Sequence, residues 1–242
     1  MEIIRVFIGY DPREDAAYKV TKHSIEARSS APVFITPLRE PLLRHSGMYR
    51  RPYSTVTRTT GAVQRYDTID GKPFSTDFSF TRFLVPSLQQ WEGWAIFVDC
   101  DFLFQTDIAA LWAMRDPTMA LHVVRHDYRP KEGVKMDDQI QAHYSRKNWS
   151  SLILWNCAHP ANRRLTPDVV NGQTGGWLHG FSWLRDDEIA TLPESWNWLE
   201  GHSSPAIKPD AIHYTRGGPW FNTYKDCAYA AEWLAEARAA GL

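Results

Sequence analysis

The 242 residues are enough for one substantial α/β domain, and their charge is nearly balanced, 27 Lys and Arg against 28 Asp and Glu. That balance excludes a general nucleic-acid binder, which needs a basic face, and leaves only a local patch at Arg44, Arg50, Arg51, Arg58 and Arg65. Three cysteines, Cys100, Cys157 and Cys227, have no metal-type spacing, so a disulfide framework or zinc knuckle is not expected and a reducing, cytoplasmic location fits. The amino terminus lacks the basic region, long apolar stretch and small-residue cleavage site of a signal peptide, and no apolar run is long enough to span a bilayer.

Ile3 to Ile8 is a β-branched and aromatic run, as expected of a strand covered on both faces, and it ends at Gly9-Tyr10-Asp11. Asp11 is placed to cap a helix with Pro12 at its first position, Glu14 at the capping-box position, and a stripe of Ala17, Val20, His23 or Ser24, and Ala27. Val33 to Ile35 then reads as a second strand. Strand, helix, strand predicts a wound sheet with ligands beyond the carboxyl ends of its strands, which puts Tyr10 and Asp11 in position for a nucleotide base or ribose; helix capping is the competing role for Asp11.

Leu38 to Lys72 is basic, proline-interrupted and weakly periodic, and reads as a surface excursion. From Phe78 to Leu88, Phe80, Phe83, Leu84 and Leu88 share a helical face, with Arg82 off that stripe, either solvated or facing the same crevice as the strand that follows. That strand, Ala95 to Val98, delivers Asp99 and Asp101. Residues two apart on an extended chain point the same way, so the two carboxylates converge on a point where a hard divalent ion is at home. The bland alternative is a strand-end turn with a solvated neighbour.

Thr106 or Asp107 caps a short helix to Met114, Met119 to Val124 is a strand continuing the parallel winding, and Arg125 to Lys147 is polar without a dependable period; its Asp137, Asp138 and His143 are loop residues that could line a site. Asn148 to Asn156 is a strand with polar ends, and Thr166-Pro167 starts a helix. Gly172, Gly175 and Gly176 interrupt the chain before Trp177-Leu178-His179-Gly180. Ala211 to Tyr214 is a short strand containing His213, followed by Thr215-Arg216-Gly217-Gly218-Pro219-Trp220 as a flexible loop. A last helix from about Thr223 to Ala240 packs Cys227, Ala230 or Ala231, and Leu234. With no repeat, low-complexity tract or linker, the chain reads as a single domain.

Taken in order, Gly9-Tyr10-Asp11, Phe78-Ser79-Phe80-Thr81-Arg82-Phe83-Leu84-Val85-Pro86, Phe97-Val98-Asp99-Cys100-Asp101, Ser150 to Asn156, Leu192 to Asn197 and His213 to Trp220 resemble a GT-A fold glycosyltransferase, nearest the glycogenin-like and bacterial galactosyltransferase-like family 8. The resemblance implies an α/β, Rossmann-like wound mixed sheet flanked by helices, with a donor-binding half over about residues 1–107 and the acceptor side and closing loop over about 108–242. It further implies a hexosyltransferase taking a nucleoside diphosphate sugar, UDP-linked, to a glycan or other hydroxyl acceptor, with manganese, or magnesium, on Asp99, Asp101 and His213. Donor contacts would come from Tyr10, Asp11, Arg82, Asp99, Arg216, Gly217 and Gly218, and the catalytic candidates are Asp101, Arg82 and His179.

Two departures stand out. Gly218 occupies the place of the family's phosphate-binding lysine, leaving Arg216 or Arg82 to supply the charge, and the stretch Gly176 to Gly180 lacks the family's Asp-Gln-Asp acid, so retaining stereochemistry does not carry over. A sugar nucleotidyltransferase, which wants a Gly-rich loop with Arg after the first strand, and a calcium-dependent carbohydrate-binding module using the 11 tryptophans are the competing classes. No nucleic-acid partner and no transmembrane segment are expected; peripheral membrane contact is compatible with the sequence, and oligomeric state is not legible in it.

Overall fold

The computed structural model describes residues 2–59, 61–127 and 146–242, so Asp137, Asp138 and His143 lie outside the described residues. Strand β1 (Ile4–Gly9) is buried at every position but Arg5, as a doubly covered strand requires. A 3-10 turn, Pro12–Glu14, leads into α1 (Asp15–Arg28). Asp11 caps the turn by accepting the Arg13 N–H, whereas Glu14 makes no capping contact and is buried. β2 (Val33–Leu38) completes the parallel strand-helix-strand unit.

The stretch read as a surface excursion is built of regular elements and continues to Phe74. It contains α2 (Glu40–His45) and an antiparallel sheet of β3 (Tyr53–Thr57), β4 (Val63–Asp67) and β5 (Pro73–Phe74). Its arginines do not form a free basic face: Arg51 is buried on Asp67, Arg44 holds Glu40, Arg50 meets Asp168 and Arg65 meets Asp77.

A 3-10 turn over Thr81–Leu84 precedes α3 (Val85–Leu88), then β6 (Trp94–Val98), β7 (Phe102–Phe104), α4 (Ile108–Trp112, capped by Asp107) and β8 (Leu121–Val123). After the segment outside the description come β9 (Leu152–Asn156), α5 (Pro167–Gly172, capped by Thr166) and α6 (Gly175–His179). The chain closes with β10 (Ile189–Thr191), β11 (Trp198–Leu199), β12 (Ala211–His213) and α7 (Ala230–Ala239).

The main sheet runs β10-β8-β9-β6-β1-β2. It is mixed: β2, β1, β6, β8 and β10 all run in one direction, so the parallel winding continues at β8 as expected, and β9, inserted between β6 and β8, is antiparallel to both. A second sheet, β11-β12-β7, stands at the carboxyl end of β6, and this is what brings His213 beside the turn after β6. Thr21 and Ser24 of α1 secure that turn. The Thr21 hydroxyl lies 2.6 Å from the carbonyls of Cys100 and Phe102, and Ser24 Oγ accepts the Phe104 N–H at 3.1 Å.

The carboxy-terminal helix starts later than expected and buries a different face. Trp233 and Ala237 pack with Val20, Leu103, Ile212 and Tyr214, while Leu234 is exposed. Cys227 lies in the turn before the helix and packs on the same cluster as expected, but a helix that starts at Ala230 turns Leu234 outward. Among the described residues no helix is long and apolar enough to cross a membrane.

Candidate active site

β6 ends at Val98, one residue before the acidic pair, and Asp99 to Asp101 form a turn rather than an extended strand. The carboxylates converge all the same, because Cys100 between them is driven fully into the core and its two neighbours face the other way. One ligand atom each from Asp99, Asp101 and His213 lies within 4.8 Å of the others. His213 Nε2 is 3.4 Å from Asp101 Oδ1.

The other nitrogen of that ring fixes its tautomer. His213 Nδ1 donates to Asn197 Oδ1 at 2.9 Å, and the amide orientation is set because Asn197 Nδ2 donates to the Asn148 carbonyl at 3.1 Å. Nε2 therefore presents a lone pair to the carboxylates. The ring is also stacked on Phe102, with centroids 4.4 Å apart. Oxygens and imidazole nitrogens around an octahedral ion sit about 2.1 Å from it and hence about 3 to 4.2 Å from one another, so this donor set fits a small divalent ion after slight contraction. A buried imidazole ligand suits manganese better than calcium.

Of the two placements open to Arg82, solvated or facing the crevice of the acidic strand, the structure has the second. The Arg82 side chain is about one-twentieth exposed, donates to the Ser150 carbonyl at 2.7 Å, meets Asp99 Oδ1 at 2.9 Å and runs over the rings of Phe78 and Phe97. The reason is local geometry: the segment is a 3-10 turn buried from Thr81 through Ser87, so it has no solvent-facing stripe. Ser150 Oγ shares a 2.8 Å hydrogen bond with His179 Nδ1. His179 is buried at the end of α6, and desolvation, with Arg82, Lys147 and Arg51 nearby, holds its pKa well below the ordinary imidazole value, so the ring is neutral. Of the glycines before it, Gly172 ends α5 and so interrupts the chain as expected, whereas Gly175 and Gly176 form the first turn of α6, which Thr174 caps.

A cleft connects these groups. Asp99, Asp101, Arg82, His179, Lys147 and Thr215 line it, together with Glu14, Phe74, Phe78, Phe80 and the glycines of α6. Lys147 was not singled out by the sequence. It is buried, and desolvation together with Arg82 brings its pKa down to about 7 against the opposing pull of Asp99.

Other expected donor residues lie apart from this cleft. The Tyr10 hydroxyl donates to Asp15 at 2.9 Å and Arg39 covers its ring at 3.9 Å. Asp11 is buried; burial raises its pKa but the paired Arg13 more than offsets this and keeps it low, and it also accepts the Asp77 N–H. Arg216 reaches Glu200 at 3.1 Å and borders a second depression with Arg125, His126 and His202. Gly217 has a φ of +122° against the Tyr224 ring, and a Cβ on Gly218 would overlap the ring of Trp220.

Comparison with known proteins agrees with this architecture. The chain superimposes on the apo bifunctional glycosyltransferase WbbM with a TM-score of 0.62 at 12% identity over 97% of its length, and on the Streptococcus pneumoniae glycosyltransferase GlyE with 0.60 at 15% identity over 98%. It spans 49% of the first of those chains and 60% of the second. The galactosyltransferase LgtC, solved with donor and acceptor sugar analogues, matches with a TM-score of 0.55 at 12% identity, covering 98% of this chain and 96% of LgtC. No protein-family model matches the chain. The Arabidopsis thaliana protein named Protein CDI is 50% identical over 237 residues, 96% of this chain and 85% of that protein. A mixed sheet of the GT-A glycosyltransferase kind, carrying identity of that extent, makes this chain a member of the same family as Arabidopsis Protein CDI.

Proposed function

We propose that this protein is a divalent-metal-dependent glycosyltransferase that moves a sugar from a nucleoside diphosphate sugar, UDP-linked, to a hydroxyl of a glycan acceptor. The observation that carries the reading is the buried cluster of Asp99, Asp101 and His213 opening onto the cleft beyond the end of β6, in a chain with the GT-A fold. Beyond the strand ends is where wound α/β sheets bind ligands.

When bound, the ion, manganese or magnesium, supplies positive charge to the diphosphate as it departs. The protein supplies placement. Asn197 sets the His213 tautomer, Arg82 holds Asp99 against Ser150, and Cys100 anchors the turn in the core. Phe74, Phe78 and Phe80 give apolar surface for a sugar ring and exclude water from the reacting bonds. His179, neutral and hydrogen-bonded to Ser150, acts in this account as a positioning group for the Arg82 and Ser150 network and not as a proton donor.

Two features weigh against the competing classes. A calcium-dependent carbohydrate-binding module would call for an all-oxygen ligand set, but the cluster includes an imidazole. A nucleotidyltransferase would need a Gly-rich phosphate loop after β1, but that position is taken by a 3-10 turn in which Arg13 is tied to Asp11. Calorimetric titration with a panel of nucleoside diphosphates, with and without Mn2+, tests the proposal. Manganese-dependent binding of one of them is expected. No binding to any, alongside binding of free glycans in calcium, would replace it with the carbohydrate-binding reading.

A further inference from the structure

We propose that the side-chain amide of Asn148 gives a hydrogen bond to a hydroxyl of the donor sugar and so takes part in selecting that sugar. The inference rests on the transferase reading above and deepens it by naming a residue that meets the sugar and not the diphosphate.

Asn148 lines the cleft beside Asp99, Asp101 and Thr215, yet it is only 4% exposed. Its amide oxygen receives the Thr215 hydroxyl at 3.4 Å, whereas Nδ2 is buried and has no hydrogen-bond partner among the described residues. A buried amide N–H2 left unpaired loses its hydration with nothing in exchange, so in a native structure it calls for a partner that the protein itself does not supply. The space that Asn148 borders is the cleft.

The backbone fixes the residue there. Asn148 is left-handed, with φ 64° and ψ 0°, at the head of the 3-10 turn Trp149–Ser151 that leads into β9, and asparagine is one of the few side chains that adopt this conformation readily. Its carbonyl accepts from Asn197 Nδ2 at 3.1 Å and from the Ser151 N–H at 3.3 Å. The Asn197 amide that holds Asn148 also holds His213 through its oxygen, so one buried side chain sets Asn148 relative to a member of the metal cluster. In the transferase reading the sugar hangs from a diphosphate on that cluster, which brings its hydroxyls to the residues beside it.

The chemistry of the cleft separates the two parts of such a ligand. A phosphate is matched by charge, which Arg82, Lys72 and Lys147 offer along the cleft in addition to the ion. A neutral amide matches a neutral hydroxyl, which accepts one hydrogen bond and donates another. Acceptors for that second bond line the same cleft: the acidic pair, and Asp70, whose carboxylate also takes the Gly175 N–H at 3.0 Å. Phe74 and Phe80, edge to face with centroids 5.2 Å apart, add apolar ring surface for the C–H face of a sugar. A hydrogen-bond donor, acceptors and aromatic rings together are what a sugar ring asks of its site.

The test is calorimetry in saturating Mn2+ with uridine diphosphate and with its glucose, galactose, xylose, N-acetylglucosamine and glucuronate conjugates, on wild type, Asn148→Gly and Asn148→Asp. Glycine suits the left-handed backbone and guards against a folding defect, and aspartate keeps the shape of the side chain without an N–H to give. The readout is the affinity for the conjugate that wild type binds best, divided by the affinity for uridine diphosphate. In Asn148→Gly this ratio is expected to fall about fivefold, the weight of one neutral hydrogen bond, with uridine diphosphate affinity unchanged, and in Asn148→Asp to fall at least as far. A ratio equal to wild type in Asn148→Gly, whether neither ligand weakens or both weaken together, would overturn the sugar contact and leave the transferase reading intact, and so would a wild type that binds uridine diphosphate but no conjugate. Absence of metal-dependent uridine diphosphate binding in wild type would overturn both.

Discussion

Asn197 holds His213 in the tautomer that a metal needs: the imidazole Nδ1–H donates to the Asn197 side-chain oxygen at 2.9 Å, and Nε2 is turned toward Asp101. Partners of this kind orient ligating histidines, and their loss costs about 10- to 100-fold in metal affinity. Asn197→Leu is therefore expected to weaken Mn2+ binding by about that factor, as read by titration of the metal alone. Unchanged affinity would mean that the ring keeps its orientation through stacking on Phe102 alone.

Arg82→Ala is expected to destabilise the fold, by about 3 to 5 kcal/mol, because it strands the buried Asp99 without its ion-pair partner. The sequence alone favoured a loss of activity on an intact fold; burial of the guanidinium reverses that. Thermal denaturation with and without Mn2+ checks it. The metal should raise the Tm of Arg82→Ala more than that of wild type, since a cation on Asp99 relieves part of the loss, and Arg82→Lys should recover only part of it for want of a planar fork.

Gly218→Lys, attractive from sequence as a way to restore a cation to the loop, is expected to destabilise by about 1 to 3 kcal/mol through overpacking. A side chain there would run into Trp220, whose ring is fixed between Tyr214 and Trp233 with centroids 5.9 and 5.3 Å away. Chemical denaturation of Gly218→Lys and Gly218→Ala checks this, and a variant as stable as wild type would show that Trp220 moves freely.

Glu236 fastens α7 to α1 through Arg28 at 2.6 Å and His23 at 2.5 Å. Burial raises its pKa, but the hydrogen bonds from Arg28 and His23 outweigh that and leave it below the ordinary value of 4.5. A carboxylate depressed on folding stabilises above its unfolded pKa, and that stabilisation is lost as pH falls through the folded value. The stability gap between wild type and Glu236→Gln should accordingly be largest near neutrality and close as pH falls below 4.5 and through the depressed folded value. A gap constant from pH 7 to 3 would contradict the ion-pair account.

Much of the main sheet was legible because its strands are buried on both faces and read as apolar runs, β1 and β9 above all. The small sheet was hidden for the opposite reason: every residue of β3 is exposed, so Tyr53 to Thr57 carry no alternation. At the site, Asp99 and Asp101 could be found from their spacing at the end of an apolar run, and His213 from the resemblance of the stretch His213 to Trp220 to the family's late motif. Arg82 could be found but not placed, since a helical projection has no meaning for a 3-10 turn buried all round. Lys147 was invisible. A lysine at the end of a polar stretch gives no periodic signal, and only two left-handed neighbours and the distant Asn197 turn it inward.

In the proposed function Asp99, Asp101 and His213 hold an ion that receives the donor's diphosphate. Calorimetry of uridine diphosphate on wild type and Asp101→Ala, each with Mn2+ and again with the metal chelated, measures this directly. The expected result is binding by wild type in Mn2+ only, and loss of that binding in Asp101→Ala with the folded structure retained. Binding of equal strength with and without metal, or undiminished binding by Asp101→Ala, would contradict it.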